Sequence, residues 1–301
     1  MSNPLSISLV TPTLNAGRFF GATLESVQAQ GYENVEHIVA DGGSTDDTLA
    51  LARAASHGPT ILDGTDTGIY DGMNRGLAAA QGEIVGILNA DDRLAPDALV
   101  QVSQAFAGDP ELDAVTGGCI MIDAAGKETS QLPWPRHRMT AASLLFGVPV
   151  INARFFRRSL LDRVGVFDPG MGLGADRELL WRVLAEKPKS QAIEAPLYLY
   201  RAHGGSSSLA GDSATRLRIW QEHLDLASRL LPGADRKRSQ VLLCWRAFEG
   251  MKAVRHLQGI GDSDRAADIR RDLSETDRGW ALKLPQALAL GLKWRGRHSG
   301  Y

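Results

Sequence analysis

Cysteine is scarce in this chain: only Cys119 and Cys244 occur among 301 residues, and they do not form a C-x-x-C pair. A disulfide framework needs several cysteines and a cysteine-type zinc site needs paired ones, so both are excluded. Two isolated cysteines are typical of a protein from a reducing compartment. We therefore expect a cytoplasmic protein.

Long apolar runs and a strong charge of one sign are also lacking. The best apolar stretch, residues 284–292, is far shorter than the ~20 residues that a membrane-spanning helix needs. The N-terminus has no basic region ahead of an apolar run, so no signal peptide is predicted. The formal net charge is -2. No nucleic-acid partner is expected, and any phosphate contact has to come from a local site.

The common motifs of nucleotide and hydrolase chemistry are missing as well. No G-x-G-x-x-G follows the first predicted strand, and Gly126-Lys127 lacks the flanking residues of a P-loop. Neither G-x-S-x-G nor H-E-x-x-H occurs in the sequence.

The N-terminal part does contain a regular alternation of two periods. Apolar runs at residues 5–10, 35–40 and 84–88 predict buried strands, and helical spacing fills the segments between them. Ser44, with Asp47 three residues later, predicts a capped helix start. Such alternation is typical of an α/β fold with a mostly parallel sheet and helices on both faces. Ligands then bind at the carboxyl ends of the strands.

Periodicity divides the chain into three parts. Residues 1–116 carry the alternation, residues 117–211 are richer in proline and glycine, and residues 212–301 have the spacing of several helices. We expect the first two parts to be the halves of one α/β domain. The third part is predicted to be a helical C-terminal region.

Polar clusters follow the predicted strands, where such a fold binds its ligands. The clusters are Thr11-Pro12-Thr13, Asp41-Gly42-Gly43-Ser44 and Asn89-Ala90-Asp91-Asp92. The adjacent carboxylates of Asp91 and Asp92 repel each other, and a hard divalent cation that also binds substrate phosphates would compensate them. The alternative is a solvated pair that caps the helix predicted near Pro96.

Two further clusters offer contacts to a nucleotide. Asp41 could accept hydrogen bonds from a nucleobase, and the glycines after it let a ligand approach the backbone. The alternative is an ordinary strand-to-helix turn with Ser44 as its N-cap. Asn74 and Arg75, on the helix after Asp66, could reach phosphates, or simply belong to a solvated helix face.

Four motifs stand in a fixed order: Ser8-Leu-Val-Thr-Pro-Thr-Leu-Asn15, Ala40-Asp-Gly-Gly-Ser-Thr-Asp46, Asp66 to Gly76, and Leu88-Asn-Ala-Asp-Asp92. Together they resemble family 2 glycosyltransferases of the GT-A fold, above all the branch that builds bacterial polysaccharides. The likeness extends from about Leu5 to Ser207. It implies an inverting enzyme that moves a sugar from a nucleotide-diphosphate donor, with a UDP-sugar favoured, to an acceptor hydroxyl with the help of Mn²⁺ or Mg²⁺.

The resemblance also implies roles for individual residues. Asp41 would contact the base, Asp91 would lie near the ribose and Asp92 would hold the metal. His203, in a late Gly-rich segment, would approach the metal or the diphosphate, and the alternative is a solvated loop histidine. The other nucleotide-sugar contacts would come from Thr11, Pro12, Thr13, Asn15, Asp66 and Asn74.

A second stretch resembles the part of the family that carries the general base. It runs from Val164-Gly-Val-Phe-Asp168 to Gly174-Ala-Asp-Arg-Glu178. The resemblance assigns the base to Asp176, with Glu178 as the competing acid. The alternative makes Asp176 a helix N-cap and places Glu178 in an exposed pair with Arg182.

The implied chemistry is transfer with proton removal by Asp176 and charge neutralisation by the metal. The acceptor would be a saccharide or a lipid-linked saccharide in bacterial surface polysaccharide or glycolipid assembly. One alternative, a sugar nucleotidyltransferase, should show a Gly-rich loop with Arg and Lys after the first strand, which this chain lacks. Another is a catalytically silent nucleotide-binding partner protein, and intact Asp92 and Asp176 argue against it.

The end of the chain has a composition of its own. Trp280 and Trp294 flank an apolar stretch that contains Pro285. The basic residues of this segment are Lys283, Lys293, Arg295 and Arg297. This mixture is typical of a helix that lies in a membrane interface, which would bring the protein to the inner face of the cell membrane. The alternative is an amphipathic helix packed on the rest of the protein or on a sister subunit, and Pro285 argues against one continuous helix.

Overall fold

The structure, a computed structural model, describes residues 4–131, 139–147, 151–205 and 212–295. Strands and helices alternate through the first part of the chain, as predicted. In chain order the elements of this part are β1 (Ile7–Thr13), α1 (Gly17–Gln28), β2 (Val35–Asp41), α2 (Thr48–Ala54), β3 (Thr60–Leu62), α3 (Ile69–Ala79), β4 (Ile84–Ile87), β5 (Arg93–Leu94) and α4 (Ala98–Gly108).

The second part of the chain completes the sheet and adds the helical region. Its elements are β6 (Ala114–Ile122), β7 (Glu128–Gln131), α5 (Ala141–Phe146), β8 (Arg154–Arg157), α6 (Arg158–Val164), α7 (Ala175–Ala185), β9 (Ser190–Arg201), α8 (Ser213–Leu230), α9 (Arg236–Gly259), α10 (Ser263–Thr276) and α11 (Leu284–Arg295). Short 3-10 turns lie at Ile151–Ala153, Leu231–Gly233 and Trp280–Lys283.

The strands of the described residues form one mixed sheet in the order β3-β2-β1-β4-β8-β6-β9-β5, with β7 paired to β6. The half made of β3, β2, β1 and β4 is parallel throughout, because each of its strands is joined to the next by a crossover helix. In the other half β6 and β9 are parallel, whereas β8 runs antiparallel to both β4 and β6. The α/β class is therefore confirmed.

The two faces of β1 are covered in different ways. Ile7 and Leu9 point into a core completed by α1 and α4. On the other face α3 approaches closely: a Cβ added to Gly76 would lie 2.2 Å from Val10 Cγ1. Since only glycine lets the helix sit so near the strand, Gly76 sets the distance between α3 and the sheet.

The start of α2 differs from the prediction. The helix begins at Thr48, and Asp47 makes no side-chain capping bond. The predicted Ser44–Asp47 capping box is absent because the Ser44 hydroxyl donates to Asp41 Oδ1 at 2.6 Å instead. Asp46 takes over the helix start by accepting from Thr48 N at 3.0 Å.

The C-terminal helices begin where aspartates cap them. The side chains of Asp212, Asp235 and Asp262 accept hydrogen bonds from backbone N–H groups in the first turns of α8, α9 and α10. Val254 and Leu257 of α9 pack against Ala266 of α10 in a small core. Pro285 occupies the first turn of α11, where its missing N–H is harmless. The predicted helical region is confirmed.

The described residues fall into two compact units. The sheet unit comprises residues 4–131, 139, 151–170 and 179–205. The helical unit comprises residues 140–147, 171–178 and 212–295. The segment with the predicted base, residues 171–178, thus belongs to the helical unit.

Candidate active site

Asp41 ends β2 beside Thr13, the last residue of β1, and its carboxylate is 0% exposed. Oδ1 accepts from the hydroxyls of Thr13 at 2.9 Å and Ser44 at 2.6 Å. Oδ2 accepts from the backbone N–H groups of Gly43 at 2.9 Å and Ser44 at 2.8 Å. Four donors fill the acceptor sites of a carboxylate, so Asp41 holds its own turn rather than facing a ligand in this structure.

The pKa of Asp41 follows from this arrangement. Burial acts to raise the pKa of the carboxyl, but the hydrogen bonds from Ser44, Thr13 and Gly43 together outweigh it and lower the pKa below its ordinary range. Asp41 is therefore ionised at neutral pH.

Asn15 joins the loops that follow β1 and β2. Its backbone adopts φ 49°, and its N–H donates to Ser44 Oγ at 2.8 Å. In return, Thr45 N donates to Asn15 Oδ1 at 2.9 Å. Two neighbouring bonds, from Ala16 N to Thr48 Oγ1 and from Gly17 N to Asp46 Oδ2, continue the link. The two loops are thereby fixed to each other.

Thr11 and Pro12 are buried beneath these loops. Thr11 Oγ1 lies 2.9 Å from His37 Nε2, and His37 Nδ1 lies 2.9 Å from His57 Nε2. Burial, and then the neighbouring His57, lower the pKa of His37 from 6.5 to about 3. Pro12 faces α3, where a Cβ on Gly72 would come within 3.3 Å of its ring. Both residues were predicted from the sequence to line a nucleotide pocket, which stays a prediction; in the structure they are buried and contact His37 and α3.

Asp66 lies against two glycines and is half-buried. A Cβ on Gly42 would be 2.5 Å from Asp66 Oδ2, and one on Gly72 would be 2.9 Å from the same atom. Oδ1 accepts from Gly68 N at 3.1 Å. The structure therefore brings Asp66 next to the Asp41 turn, at the carboxyl end of the parallel strands.

Asn74 and Arg75 are engaged with backbone. Asn74 Nδ2 donates to Phe167 O at 2.8 Å, and Asn74 Oδ1 accepts from Phe167 N at 2.9 Å. Arg75 donates to the carbonyls of Asp41 and Leu62 at 2.9 and 3.0 Å. The sequence suggested that these side chains could reach phosphates, whereas in this structure they bind backbone groups of the protein. Asn74 fixes the segment before α7, and Arg75 ties the ends of β2 and β3 together.

Asp92, predicted to hold the metal, is 1% exposed. Its Oδ2 accepts from the Tyr198 hydroxyl at 2.6 Å and from Asn89 Nδ2 at 3.2 Å, and its Oδ1 accepts from Arg201 N at 2.6 Å. Burial, and then the neighbouring Asp91 carboxylate, raise the pKa of Asp92 from 3.8 to about 8. Asp92 thus points into the protein and binds the loop to β9.

Asp91 is the more open carboxylate of the pair, with a side chain 34% exposed. His203 Nε2 lies 2.9 Å from Asp91 Oδ2. Gly205 N donates to His203 Nδ1 at 3.2 Å, which places the proton of a neutral ring on Nε2. The His203 ring also packs on Phe19, with 4.6 Å between the ring centroids. Asp91 and His203, from distant parts of the chain, are brought together.

The Asp91–His203 pair suits a divalent cation in its chemistry. A carboxylate oxygen and an imidazole nitrogen are ordinary ligands of Mn²⁺, and Mg²⁺ sites commonly combine one or two carboxylates with substrate phosphates and water. Within the described residues no group of three or more His, Cys, Asp or Glu side chains is placed to hold a metal. A divalent cation bound by these two side chains, with its other positions filled by substrate oxygens, therefore fits this pair.

The start of α7 is organised by the helical unit. Asp176 is half-buried, and its Oδ1 accepts from Arg177 N at 2.7 Å. Arg177 donates to carbonyls at the end of α5, among them Leu145 O at 3.1 Å, and lies 5.6 Å from the centre of the Trp245 ring. Glu222 of α8 accepts from Leu173 N at 2.5 Å. The backbone on both sides of Asp176 is held in place.

Glu178, the competing acid, is 6% exposed and its Oε1 lies 3.6 Å from Arg229 Nη2. Arg182, the partner that the alternative gave to Glu178, donates to the carbonyls of Val164 and Val166. Of the two acids, Asp176 has the more accessible side chain.

Sequence reasoning missed the residues that hold the Asp91–Asp92 loop. Thr23 Oγ1 donates to the carbonyls of Ala90 and Asp92 at 2.8 and 2.7 Å. Arg201 Nε donates to Asp91 O at 2.7 Å, and Asn152 Nδ2 donates to Asn89 Oδ1 at 3.0 Å. Arg201 could have been found as a charge that ends an apolar strand. Nothing in the local sequence points to Thr23 or Asn152.

Solved structures with the same fold show what such an arrangement belongs to. S. aureus TarS 1-349, solved with UDP-GlcNAc, superposes with a TM-score of 0.67 at 17% identity, covering 96% of this chain and 89% of that one. The mannosyltransferase PcManGT of Pyrobaculum calidifontis, solved with GDP-Man and Mn²⁺, gives 0.60 at 18% identity, with 97% and 87% covered. The fold, with acidic loops at its strand ends, is that of a GT-A glycosyltransferase.

Sequence comparison identifies the family to which the chain belongs. Residues 8–181, more than half of the chain, match the family described as "Glycosyl transferase family 2". A PGL/p-HBAD biosynthesis glycosyltransferase of Mycobacterium tuberculosis is 34% identical over 193 residues, which cover 62% of this chain and 68% of that protein. The chain belongs to glycosyltransferase family 2. The sugar nucleotidyltransferase alternative is therefore excluded.

Proposed function

We propose that this chain is an inverting glycosyltransferase that moves a sugar from a nucleotide-diphosphate donor to a hydroxyl of a saccharide or lipid-linked saccharide. A UDP-sugar is the first candidate for the donor. The observation that carries the proposal is the Asp91–His203 pair, a carboxylate and an imidazole 2.9 Å apart on the loops beyond β4 and β9. UDP-GlcNAc in TarS and GDP-Man with Mn²⁺ in PcManGT support a nucleotide-sugar donor and a divalent ion.

We assign the metal to Asp91 and His203, and give Asp92 the task of holding the loop. Asp92 was the ligand expected from the sequence, but its oxygens face Tyr198, Asn89 and Arg201. When bound, Mn²⁺ or Mg²⁺ would neutralise the charge of the departing nucleotide diphosphate as a Lewis acid. Asp91 and His203 would be the protein ligands of that cation.

Asp176 is the proposed general base. Its carboxylate accepts the proton of the acceptor hydroxyl while the hydroxyl oxygen attacks the anomeric carbon. The attack comes from the face opposite the nucleotide diphosphate, the bond from the anomeric carbon to the diphosphate oxygen breaks, and the configuration is inverted. Glu178 is less suited to this role because it is buried beside the Arg229 guanidinium.

We place the reaction in the assembly of bacterial surface polysaccharide or glycolipid, in the cytoplasm or at the inner face of the cell membrane. The name of the mycobacterial relative, a PGL/p-HBAD biosynthesis glycosyltransferase, supports a role in biosynthesis. Cys119 and Cys244 are both buried and free, which fits a reducing compartment.

A thermal-shift screen of nucleotide sugars with and without Mn²⁺ tests the donor assignment. A ligand at a hundred times its Kd stabilises the native state by about 2.7 kcal/mol, which raises the Tm measurably. We expect UDP-sugars to give the largest shift, and only with Mn²⁺ present. The absence of a shift with UDP-, GDP- and dTDP-sugars alike would contradict the proposal.

A donor-hydrolysis assay separates an enzyme from a catalytically silent binding protein. Release of nucleotide diphosphate from the donor that binds, dependent on Mn²⁺, is the expected result for a transferase. Binding without release in the presence or absence of acceptor would instead identify a silent partner protein.

A further inference from the structure

One side of the C-terminal helix is apolar and exposed. This surface, called the α11 face below, consists of Leu282 in the preceding turn and of Pro285, Leu288, Ala289 and Leu292 on the helix. The helix positions follow the spacing i, i+3, i+4, i+7, so they share one side. Leu282, Leu288 and Leu292 are 87%, 47% and 71% exposed. Single exposed leucines are ordinary, whereas a continuous stripe of them marks an interaction surface.

The opposite side of α11 is fixed on α9. Ala287 is 0% exposed, and a Cβ on Gly291 would lie 3.1 Å from the ring of Phe248. Cys244 Sγ lies 3.5 Å from Gln286 Oε1, as donor to that oxygen. Because these contacts hold the inner side, the α11 face is a surface of the folded unit and not a displaced piece of its core.

The sequence segment that contains the α11 face is basic. The last 24 residues of the chain contain five Lys and Arg residues and no Asp or Glu, although the whole chain has a net charge of -2. Lys283 Nζ lies 2.5 Å from Asp277 Oδ2. Arg278 and Lys293 are exposed. The side chain of Arg295 and the whole of Arg297 lie outside the described residues. An anionic partner is favoured by this charge.

We propose that the α11 face binds the headgroup region of an anionic lipid bilayer. An exposed apolar stripe bordered by basic residues and free of acidic ones is the pattern of a helix that lies in the plane of the interface. In the part of the chain that the structure describes, no helix is long and apolar enough to cross a bilayer. The binding goes beyond the transfer reaction and needs neither donor nor acceptor.

A second copy of the chain fits the same face less well. A two-fold dimer would press two identical surfaces together. It would then bring two basic segments, neither with an acidic residue after Asp277, next to each other. Like charges in contact are unfavourable. At a bilayer, anionic headgroups would compensate the basic residues, and the apolar boundary below them would bury the leucines.

Flotation of the full chain with phosphatidylcholine vesicles, with and without phosphatidylglycerol, tests the proposal. The variant Leu288→Gln/Leu292→Gln removes apolar area at exposed positions and keeps good helix formers. Ile260→Gln, at a side chain 55% exposed in the same unit, is the matched control. Point variants are preferred to truncation, because loss of α11 would uncover Phe248 of α9.

We expect the wild-type protein to float with phosphatidylglycerol-containing vesicles and much less with phosphatidylcholine alone. The double variant should lose at least about tenfold in apparent membrane affinity, while Ile260→Gln binds like wild type. No flotation of wild type, or equal flotation of the double variant, would overturn the proposal. So would a wild-type dimer in sedimentation velocity that the double variant abolishes, since the face would then be a subunit interface. None of these outcomes affects the transferase assignment, which depends on sugar transfer in solution.

Discussion

The strand-end loops and the start of α7 differ in how far they expose their carboxylates. Asp41, at the end of β2, and Asp92, in the loop between β4 and β5, are 0% and 1% exposed. They accept hydrogen bonds from four and three donors of the protein. Asp176 is half-buried, and the groups around it fix the backbone on either side. The carboxylate oxygens of Asp41 and Asp92 are therefore used in hydrogen bonds that hold the loops in place.

This difference separates residues that organise the site from residues that present chemistry. A carboxylate whose acceptor sites are filled by the protein has little left for a ligand. A carboxylate that takes a proton or a cation needs an accessible oxygen. Asp91 and Asp176 are the more exposed carboxylates and stay the proposed reacting groups, whereas Asp41 and Asp92 bind the loops.

Both regions rest on a buried neutral histidine. His37 lies beneath Thr11 in the sheet unit. In the helical unit, His223 packs 4.9 Å from Trp245, the residue under Arg177. Burial is the main reason that the pKa of His223 falls from 6.5 to about 4. The comparison between the two regions can therefore be tested by activity, by stability and by pH.

The largest effect is expected at the start of α7. Asp176→Asn should lower kcat by about 10²–10⁴-fold, because the acceptor hydroxyl loses its base. Donor affinity should stay near the wild-type value, since the base acts on the acceptor. Nucleotide release gives kcat, and calorimetric titration of the donor gives Kd.

Glu178→Gln is the matched control for this prediction. Because Glu178 is buried beside Arg229, the change should lower the free energy of unfolding. It should lower kcat much less than Asp176→Asn does. A crippled Glu178→Gln with a mild Asp176→Asn would make Glu178 the base.

The second effect distinguishes Asp91 from Asp92. Asp91→Asn should reduce transfer by about 100-fold or more and raise the Mn²⁺ concentration needed for half-maximal rate, with the Tm unchanged. Asp92→Asn places an amide against Tyr198 and Arg201, so it should lower the Tm and reduce activity through the loop. Rates across a Mn²⁺ titration and the two Tm values check this. If Asp92→Asn alters the Mn²⁺ requirement at constant Tm, the ligand is Asp92, as the sequence first predicted.

The third effect is on stability. Asp41→Asn removes the charge that four donors share and turns an amide toward them, which should destabilise the protein by about 2–4 kcal/mol. Asp47→Asn, at an exposed position of the same turn without a side-chain capping bond, should stay within about 0.5 kcal/mol. Urea denaturation measures both. Equal losses of unfolding free energy in the two variants would show that the hydrogen bonds of Asp41 do not stabilise the folded protein.

The smallest effect is the response to acid. The folded units keep His37 and His223 neutral. Below pH 6.5 the unfolded chain therefore binds more protons than the folded protein, and the free energy of unfolding decreases as the pH is lowered. At about pH 5 each histidine should cost about 2 kcal/mol. His37→Gln and His223→Gln should each reduce the pH slope of the unfolding free energy below pH 6.5. Slopes parallel to wild type would mean that the replaced ring is charged in the folded protein or solvated.

Much of the fold was predictable because its elements depend on local periodicity. The apolar runs of β1, β2 and β4 and the helical spacing of α8 to α10 lie in the residues themselves. The start of α2 was not predictable. The Ser44 hydroxyl could cap α2 or bind Asp41. It donates to Asp41 because β2 places this buried carboxylate beside the turn.

The candidate site was predictable by position and less so by role. Sequence order placed Asp41, Asp66, Asp91 and Asp92 after strands or in the loops beyond them, and the structure has them there. Which oxygen of each residue is accessible depends on Tyr198, Arg201 and Asn152, whose contacts with the loop span more than 60 residues of sequence. No local pattern encodes such distances.

By itself, the sequence determined the alternation of strands and helices, the motifs that define the family and the basic, leucine-rich end of the chain. These follow from side-chain type and spacing, which act within a few residues. Tertiary structure alone decided that Asp92 turns inward while Asp91 meets His203, that Asn74 clamps Phe167 and that one side of α11 stays exposed. Burial and hydrogen-bond partners depend on which segments meet in space, and that is settled only when the whole chain packs.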